Sequence, residues 1–479
     1  MNLNDGAPDS ATRSAPTATA FRAQREARDR FPGLSREERL GALASLESLL
    51  RDNTAALCAA VDRDFGGRSA AETRLLEIFP AVEAITHARR HLASWMKPRR
   101  ARTNFWFLPG RSRVMVQPLG VVGIVVPWNY PIYLAVGPLV SALAAGNRAM
   151  VKMSEVAPAT GELLQRLVAE RFSPDLLAVV TGGPDVAREF VALPFDHLLF
   201  TGSTAVGREV MRAAAANLTP VTLELGGKSP AIVGRGMAVE EAADRILFGK
   251  CLNAGQTCVA PDYVLVPEER VEGFVAGARA AVARMYPRLA DTPDYTSIVN
   301  ARHRDRLVSV LEEAAARGAT VLSLAPGDAR ALEGSPRLAP TLVLGAPDDT
   351  RLMREEIFGP ILPVVPYRTL DEAIGYVNAR PRPLALYVFD HDRAAVARVL
   401  AETVSGGACV NETLLQLGQD DLPFGGVGPS GMGEYHGRAG FDTFSKRKSV
   451  FYQSRLNGLK LLRPPYGSRF EKLVRLLVR

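Results

Sequence analysis

The sequence predicts an α/β protein made of two doubly wound parallel-sheet domains in series. From residue 119 onward, short apolar runs rich in β-branched residues alternate with helical patterns of roughly 10 to 15 residues. This rhythm is typical of parallel sheets that carry helices on both faces. The length of 479 residues and the hydrophobic fraction of 47% supply enough chain for more than one core.

The alternation falls into two blocks, and we find no internal repeat or low-complexity tract in either. Strands are predicted at residues 121–126, 149–153, 177–181, 197–201, 221–225, 263–266, 320–324, 361–367, 384–389 and 408–411. Helices are predicted at residues 132–145, 160–172, 205–216, 270–285, 302–317, 370–378 and 393–402. The two blocks are therefore expected to form two sheets.

Helical signals and one hairpin signal precede the first block. Ser35 with Glu38 forms a capping box before leucines that share one helical face, and Ser69 with Glu72 begins a longer helix. Residues 104–117 combine aromatic residues, Pro-Gly and alternating Arg and Val, which predicts a β-hairpin.

The two ends of the chain differ from the blocks between them. Residues 1–20 are small and polar without the apolar core of an export signal, so we predict a disordered tail. Residues 456–479 are basic and leucine-rich, and could dock on a partner subunit, cover a site or touch a membrane surface. One face of this tail carries Phe470, Leu473, Val474 and Leu477, and the opposite face carries Arg469, Lys472 and Arg479.

Composition argues against several other classes of protein. The 58 basic and 51 acidic residues leave a net charge of +7, without a basic block interleaved with aromatics, so no nucleic-acid partner is predicted. The four cysteines (Cys58, Cys251, Cys258 and Cys409) show no CxxC spacing, which indicates a reducing, cytoplasmic compartment. The six histidines are scattered and form no HExxH motif, so no protein-bound catalytic metal is predicted.

An uncharged stretch, residues 114–147, is long enough to raise the question of a membrane span. It contains four prolines, four glycines and the polar Asn129, which would break a continuous helix. We therefore predict a buried strand, a loop and a helix there, with no transmembrane segment.

A glycine turn that follows a strand and opens a helix is a candidate phosphate site. Residues 200–207 fit this context, because Gly202 and Gly207 permit a tight turn and close packing ahead of a helix N-terminus. A literal GxGxxG at Gly426, Gly428 and Gly431 follows no strand and is predicted to be a structural loop. Residues 227–229 resemble the end of a P-loop, but the upstream glycine is missing.

Three residues carry candidate chemistry, and each has a simpler alternative. Cys258 ends a loop of small and amide residues, where a thiol could be a nucleophile or an inert buried group. Glu224 ends a strand and could bind a ribose, act as a general base, or serve as a cap or ion-pair partner. Asn129 lies in a proline-flanked turn and could stabilise an oxyanion or cap the turn.

Six motifs in their order along the chain resemble the NAD(P)-dependent aldehyde dehydrogenase superfamily over residues 21–450. They are Pro-Trp-Asn-Tyr-Pro (127–131), Val-Lys-Met-Ser-Glu (151–155), Phe-Thr-Gly-Ser (200–203), Glu-Leu-Gly-Gly-Lys (224–228), Gly-Gln-Thr-Cys (255–258) and Glu-Glu-Ile-Phe-Gly-Pro (355–360). Residues 420–433, with Tyr-His-Gly at 435–437, are similar to the class 3 branch, and within it to coniferyl aldehyde dehydrogenases.

The resemblance implies a role for each candidate residue. Cys258 would attack the aldehyde to give a thiohemiacetal, and the Asn129 side chain with the Cys258 backbone N–H would hold the oxyanion. After hydride transfer, Glu224 would activate the water that hydrolyses the thioester. This role for Glu224 replaces its assignment to a ribose.

The resemblance also implies a site for the cofactor. Lys152 and Glu155 would bind the adenosine ribose, and Glu356 would bind the nicotinamide ribose with Phe358 packed nearby. Glu155 would repel a 2′-phosphate, which favours NAD over NADP. The pyrophosphate would be lined by Gly202, Ser203 and Gly207. One departure from the family is Met153, which stands where proline is usual.

The family fold implies an organisation into three parts. Residues 21–101 and 118–227 would form a Rossmann-like dinucleotide-binding domain, and residues 228–425 the catalytic domain. Residues 102–117 and 440–455 would form a small oligomerisation element, and a homodimer is expected.

The predicted function is therefore NAD(P)-dependent oxidation of an aldehyde to a carboxylic acid, with an aromatic aldehyde such as coniferyl aldehyde as substrate. One alternative is a class 3 dehydrogenase for long-chain or general aliphatic aldehydes. Another is a cofactor-free thiol hydrolase, which would need a histidine base. A structural protein that reuses the fold is a further alternative.

Overall fold

The computed structural model describes residues 11–478, apart from 32, 326, 328–331, 333 and 459–462. Its strands are β1 (Arg99–Ala101), β2 (Arg111–Pro118), β3 (Val121–Val125), β4 (Arg148–Lys152), β5 (Leu177–Val180), β6 (His197–Gly202), β7 (Val221–Leu225), β8 (Pro230–Val233), β9 (Tyr263–Pro267), β10 (Thr320–Ser323), β11 (Thr341–Leu344), β12 (Ile361–Tyr367), β13 (Ala385–Phe389), β14 (Gly407–Val410), β15 (Gly431–Met432) and β16 (Ser445–Tyr452).

Helices surround these strands. They are α1 (Ala11–Arg30), α2 (Arg36–Asp52), α3 (Thr54–Phe65), α4 (Ala70–Thr73), α5 (Phe79–Trp95), α6 (Tyr133–Ala145), α7 (Pro158–Ala169), α8 (Pro184–Val191), α9 (Thr204–Ala215), α10 (Val239–Cys251), α11 (Val271–Met285), α12 (Ala301–Ala316), α13 (Arg351–Arg354), α14 (Leu370–Asn378), α15 (Arg393–Glu402), α16 (Gly437–Thr443) and α17 (Ser468–Leu477). A π-helical turn joins α4 to α5.

The first sheet has the strand order β15-β7-β6-β3-β4-β5, with β15 antiparallel to β7 and all other pairs parallel. Helices α2, α3, α5, α6 and α7 pack on one face, and α1, α8 and α9 pack on the other. The chain order reverses between β3 and β6. In sheets of this kind, ligands bind beyond the carboxyl ends of the strands at such a reversal.

The second sheet has the order β10-β11-β12-β9-β8-β13-β14, parallel except for β10. Helices α10, α11 and α12 cover one face, and α14 and α15 cover the other. The predicted fold of two doubly wound sheets is therefore confirmed. Only residues 226–229 separate the last parallel strand of the first sheet from the first strand of the second.

A third, antiparallel sheet has the order β1-β2-β16, in which all eight residues of β16 pair with β2. The predicted hairpin at residues 104–117 is wrong about its first strand. That strand is β1, which lies before residue 104, and a short 3-10 helix over Phe105–Phe107 connects it to β2. Asn104 caps this turn by accepting a hydrogen bond from Trp106 N, which removes residues 104–107 from the strand.

The helix and strand predictions from periodicity are otherwise confirmed, including both capping residues, Ser35 and Ser69. The elements that they missed are α1, α3, α8, α10, α13, α16, β8, β11 and β15. Two of these, β8 and β11, are four residues long, which is too short for a period to show. Residues 114–147 contain β3 and α6 as predicted, and no described helix is long and apolar enough to cross a bilayer.

The C-terminal segment forms the predicted helix, α17. Phe470, Leu473 and Val474 on its apolar face are half-exposed, so the chain itself covers this face only partly. The side chains of Leu477 and Arg479, which belonged to the same prediction, lie outside the described residues.

The predicted disorder of residues 1–20 is wrong from residue 11 onward, because α1 begins at Ala11; residues 1–10 lie outside the described part of the chain. The helix is held by contacts beyond residue 20 that sequence periodicity did not show. The Phe21 ring meets the Phe195 ring edge-on at 5.1 Å, and the Gln24 amide donates to Ala149 O at 2.8 Å. Arg28 forms an ion pair with Asp196.

Replacing Phe21 tests whether α1 is docked. Phe21 is 6% exposed, whereas Phe31, just beyond the helix, is 68% exposed. We expect Phe21→Ala to lower the free energy of unfolding by about 3 kcal/mol, because it removes buried apolar surface and leaves a cavity. Phe31→Ala is the matched control and should cost less than about 0.5 kcal/mol. Equal thermal unfolding temperatures for the two variants would show that α1 does not pack on the sheet.

Candidate active site

The loop that carries Cys258 has an unusual backbone. After α10, the residues Asn253, Ala254 and Gly255 all have positive φ, at 52°, 50° and 73°. The left-handed region costs a non-glycine residue roughly 1 to 2 kcal/mol, so this turn needs support from its surroundings. Glycine is required at position 255 for two reasons: its φ is positive, and a Cβ there would collide with the carbonyl oxygen of Gly359.

The side chain of Gln256 supplies part of that support. Its amide nitrogen donates to Asn253 O at 2.9 Å and to Ser297 O at 3.0 Å, and its oxygen accepts from Val299 N at 2.9 Å. Gln256 is buried, so these three bonds are shielded from water. Gln256 therefore ties the cysteine loop to the segment at residues 297–299.

Asn129 lies against the same loop. It follows β3 and is 3% exposed, and its side-chain amide donates to Gln256 O at 3.1 Å. The neighbouring Tyr130 hydroxyl is 2.6 Å from the Thr257 hydroxyl. The structure therefore brings the predicted oxyanion residue to the loop that carries the predicted nucleophile. An amide carries two N–H groups, so one remains for a ligand.

Glu224 is a buried carboxyl group in β7, opposite Gly431 of β15. It is 2% exposed, and neither carboxylate oxygen has a hydrogen-bond partner among the residues that the structure describes. Burial, with a smaller contribution from Glu434, raises its pKa well above the usual value. This excludes the simple cap and ion-pair alternatives, and it is the environment that a general base near neutral pH requires.

Cys258 is half-buried, and its thiol is held in the protonated form. Burial and then the carboxyls of Glu356 and Glu224 raise its pKa to about 12, against the opposing effect of the Cys258 and Val259 backbone N–H groups. The Glu224 carboxyl therefore lies within electrostatic range of the thiol. Of the other cysteines, Cys58 and Cys251 are buried, and Cys409 is half-buried.

Glu356 and Phe358 lie on the segment after α13 and close the site from the second sheet. The Glu356 carboxyl packs against Gly226, where any Cβ would overlap it, and burial raises its pKa to about 8. One of its oxygens is buried without a partner in the described part of the chain. Phe358 has a φ of 52°, and its ring is 5.4 Å from the ring of Trp128.

Lys152 and Glu155 lie at the carboxyl end of β4 and in the loop after it. The Lys152 ammonium group is buried and donates to Met153 O at 2.7 Å and Gly182 O at 2.8 Å. Burial lowers its pKa, whereas Glu155 raises it. Glu155 itself is exposed. Met153, the departure from the family pattern, is buried and donates its N–H to Val180 O at 2.9 Å.

The glycine turn after β6 has the geometry of a phosphate site. Ser203 is the N-cap of the twelve-residue helix α9, and its hydroxyl accepts from Val206 N. Gly207 packs so closely on β7 that a Cβ would come within 2.7 Å of the Leu225 side chain. The literal GxGxxG is a loop that ends in β15, and Gly431 pairs there with Glu224. The prediction of a structural loop is confirmed.

Sequence reasoning missed three buried charged residues near these loops: Arg68, Glu77 and Lys250. Glu72 was assigned only to a helix cap, yet its carboxylate accepts hydrogen bonds from Asn253 N and from the Thr296 hydroxyl. For Glu77 and Lys250, a charged residue within an apolar helical pattern was the available signal, whereas Arg68 lies in the loop before α4 and had none. Among the described residues there is no group of three or more His, Cys, Asp or Glu side chains placed to hold a metal ion.

The strand order, the left-handed cysteine turn and the buried carboxyl define an α/β enzyme built for thiol chemistry. A sequence model of the aldehyde dehydrogenase family matches residues 9–450. The chain is 55% identical over 455 residues to the probable coniferyl aldehyde dehydrogenase of Pseudomonas aeruginosa, covering 95% of this chain and 94% of the relative. It is 49% identical over 449 residues to the coniferyl aldehyde dehydrogenase of a Pseudomonas species, covering 92% of each.

More distant relatives and solved structures agree. Family 3 member B3 of Mus musculus is 39% identical over 438 residues, 90% of this chain and 89% of the relative. The substrate-bound Staphylococcus aureus AldH superposes with a TM-score of 0.90 at 37% identity, covering 96% of this chain and 99% of that one. The Mycobacterium tuberculosis aldehyde dehydrogenase complexed with NAD+ gives 0.82 at 28% identity, with coverage of 91% and 90%. The chain belongs to the aldehyde dehydrogenase family, and the predicted class of enzyme is confirmed.

The raised pKa of Cys258 predicts how its reactivity depends on pH. Because the thiolate is the reactive form and the pKa is about 12, alkylation of Cys258 by iodoacetamide should quicken roughly tenfold per pH unit from about pH 7 to 9. Mass spectrometry of the Cys258 peptide measures the rate, and Cys258→Ala gives the background from the other thiols. A rate that levels off below pH 8 would show a stabilised thiolate and contradict the buried-thiol geometry.

Proposed function

We propose that the enzyme oxidises aromatic aldehydes to carboxylic acids with NAD as the hydride acceptor. One observation carries this proposal: the Asn129 amide donates to the loop of Cys258, and the buried, unpartnered carboxyl of Glu224 lies within electrostatic range of the Cys258 thiol. The names of the coniferyl aldehyde dehydrogenase relatives support the aromatic substrate class.

The three residues divide the chemistry between them. The Cys258 sulfur forms a bond to the aldehyde carbon and gives up its proton to solvent, while the free N–H of the Asn129 amide and the Cys258 backbone N–H bind the oxyanion. A bound nicotinamide would accept the hydride, which would leave a thioester on Cys258. Glu224 then takes a proton from water, whose oxygen attacks the thioester, releasing the acid and the thiol.

The residues present fit a dinucleotide. The N-terminus of α9 offers amides and a positive dipole beside Gly202, Ser203 and Gly207, where a pyrophosphate would lie. The unpartnered Glu356 oxygen can accept a ribose hydroxyl, and Phe358 would pack beside the nicotinamide. Structural relatives with bound NAD+ support this assignment.

The adenosine end of the site favours NAD. Lys152 and Glu155 would bind the adenosine ribose at the end of β4. The exposed carboxylate of Glu155 would repel a 2′-phosphate, which disfavours NADP as the cofactor.

A thiol hydrolase is the less favoured alternative. Such an enzyme would activate its cysteine with a histidine, but the two side chains that shift the Cys258 pKa are the carboxyls of Glu356 and Glu224. The substrate comparison below distinguishes an enzyme for aromatic aldehydes from one for long-chain aldehydes.

The dimer and the cytoplasmic location belong to the same proposal. Phe451 of the sheet β1-β2-β16 is exposed, as are Phe105, Trp106 and Phe107 of the 3-10 helix that connects β1 to β2, and a second copy of the chain would cover these side chains. This supports the assignment of residues 102–117 and 440–455 to oligomerisation, and a monomer in light-scattering measurements would contradict it. The four unpaired cysteines support a reducing compartment.

A substrate comparison with a matched inactive variant tests the function. We expect kcat/KM for coniferyl aldehyde to exceed that for a long-chain aliphatic aldehyde by about tenfold or more, and NAD to be preferred over NADP to a similar extent. Chromatography of the acid product measures the rates. Cys258→Ala should lose turnover while NAD still binds by calorimetry, because only the nucleophile is removed. Turnover by Cys258→Ala, or a preference for the long-chain aldehyde, would overturn the corresponding part of the proposal.

A further inference from the structure

A buried guanidinium group lies directly behind the Asn129 turn. The Arg68 side chain is fully buried between the rings of Phe65 and Tyr130, at 4.8 and 5.0 Å. Its Nη1 donates one hydrogen bond, at 3.0 Å, to the backbone oxygen of Asn129. Its Nε and Nη2 have no hydrogen-bond partner within the described part of the chain.

Two buried carboxylates balance the charge of Arg68. The Nε lies 3.8 Å from Glu72, and Nη2 lies 3.7 Å from Glu77. Glu77 accepts hydrogen bonds from the backbone N–H groups of Ile132, at 2.8 Å, and Tyr133, at 3.3 Å, just after the Asn129 turn. Glu72 accepts from Asn253 N at 3.1 and 3.2 Å. The triad therefore contacts both the Asn129 turn and the left-handed cysteine loop.

Stability is a poor explanation for this arrangement. A buried ion pair or triad can often be replaced by apolar side chains without loss of stability, because desolvation offsets the Coulombic attraction. A buried guanidinium with one hydrogen bond leaves most of its donors unsatisfied, which adds to that cost. The network does orient the Asn129 turn, because the Asn129 backbone oxygen accepts hydrogen bonds both from Arg68 and from the Asn253 amide, the latter at 3.0 Å.

We propose that Arg68 is a positioning residue for the oxyanion site, holding the backbone of Asn129 so that its side-chain amide faces the carbon attacked by Cys258. The inference rests on the proposed function, since it needs Asn129 as an oxyanion donor. Without Arg68, the Asn253 amide still holds the turn. The oxyanion site then persists, but the orientation of the Asn129 side chain is less constrained. A misplacement on the scale of 1 Å costs about a hundredfold in rate.

A double-mutant cycle tests whether Arg68 acts on the reaction through Asn129. The amount and rate of reduced nicotinamide formed in a single turnover are measured for wild type, Arg68→Lys, Asn129→Ala and the double variant. Arg68→Lys should slow the wild-type reaction roughly 10- to 100-fold, but the Asn129→Ala reaction less than about threefold, because residues that act as a unit are not additive. Cofactor affinity should stay within about twofold of wild type, since Arg68 lies away from the proposed nucleotide site.

Arg39→Lys is the matched control. Arg39 is also buried, and it donates to Leu34 O at 2.8 Å and to Ala144 O at 2.9 Å, near the opposite end of α6. This variant should leave the single-turnover rate unchanged. If Arg68→Lys does not fold, Glu77→Gln replaces it in the cycle, because Glu77 contacts Arg68 and the backbone just after the Asn129 turn. The expected loss is about 3- to 10-fold and again vanishes with Asn129→Ala.

The outcomes separate the two proposals. Equal rate losses in the two backgrounds, or a loss that Arg39→Lys matches, would overturn the positioning role while the proposed function stands. Absence of reduced nicotinamide from the wild-type enzyme with every aldehyde would overturn the proposed function instead. Iodoacetamide alkylation needs no oxyanion site, so its rate at Cys258 should stay within about twofold of wild type in Arg68→Lys. A larger change would show that Arg68 supports the cysteine loop and would also contradict the proposal.

Discussion

Three consecutive left-handed residues, at 253–255, are the constraint on which the active site depends. Two of them carry a Cβ, so the turn exists only because other segments hold it. Gln256 binds it to residues 297 and 299, Glu72 accepts the Asn253 N–H, and the Asn253 amide donates to Asn129. Each bond joins segments that are far apart in sequence. The position of the nucleophile is therefore set by the packing of the two sheets against each other.

The burial of the active-site side chains sets their acid–base properties. Burial raises the pKa of the Cys258 thiol and of the Glu224 and Glu356 carboxyls, because in each case it disfavours the charged form. The same burial leaves oxygens of Glu224 and Glu356 without partners, and these atoms are the ones the proposed mechanism uses.

Sequence alone predicted the two sheets, because the alternation of strand and helix periods encodes them, and the order of the motifs led us to expect Cys258, Glu224 and Asn129 in one site. It did not predict what holds them. Arg68 and Glu77 have no local pattern that indicates a contact with a turn some 60 residues away. The docking of α1 through Phe21 was missed for the same reason: a polar composition hides a contact made with Phe195. Long-range contacts are visible only once the chain has folded.

The acyl-enzyme tests the central claim most directly, namely that Cys258 and Glu224 share one site and act in sequence. Glutamine at position 224 keeps the shape of the carboxyl but cannot accept a proton. On mixing Glu224→Gln with aldehyde and NAD+, intact-protein mass spectrometry should show one acyl group accumulating on Cys258, after one equivalent of reduced cofactor has formed. Loss of that first equivalent, with no adduct on Cys258, would contradict the account.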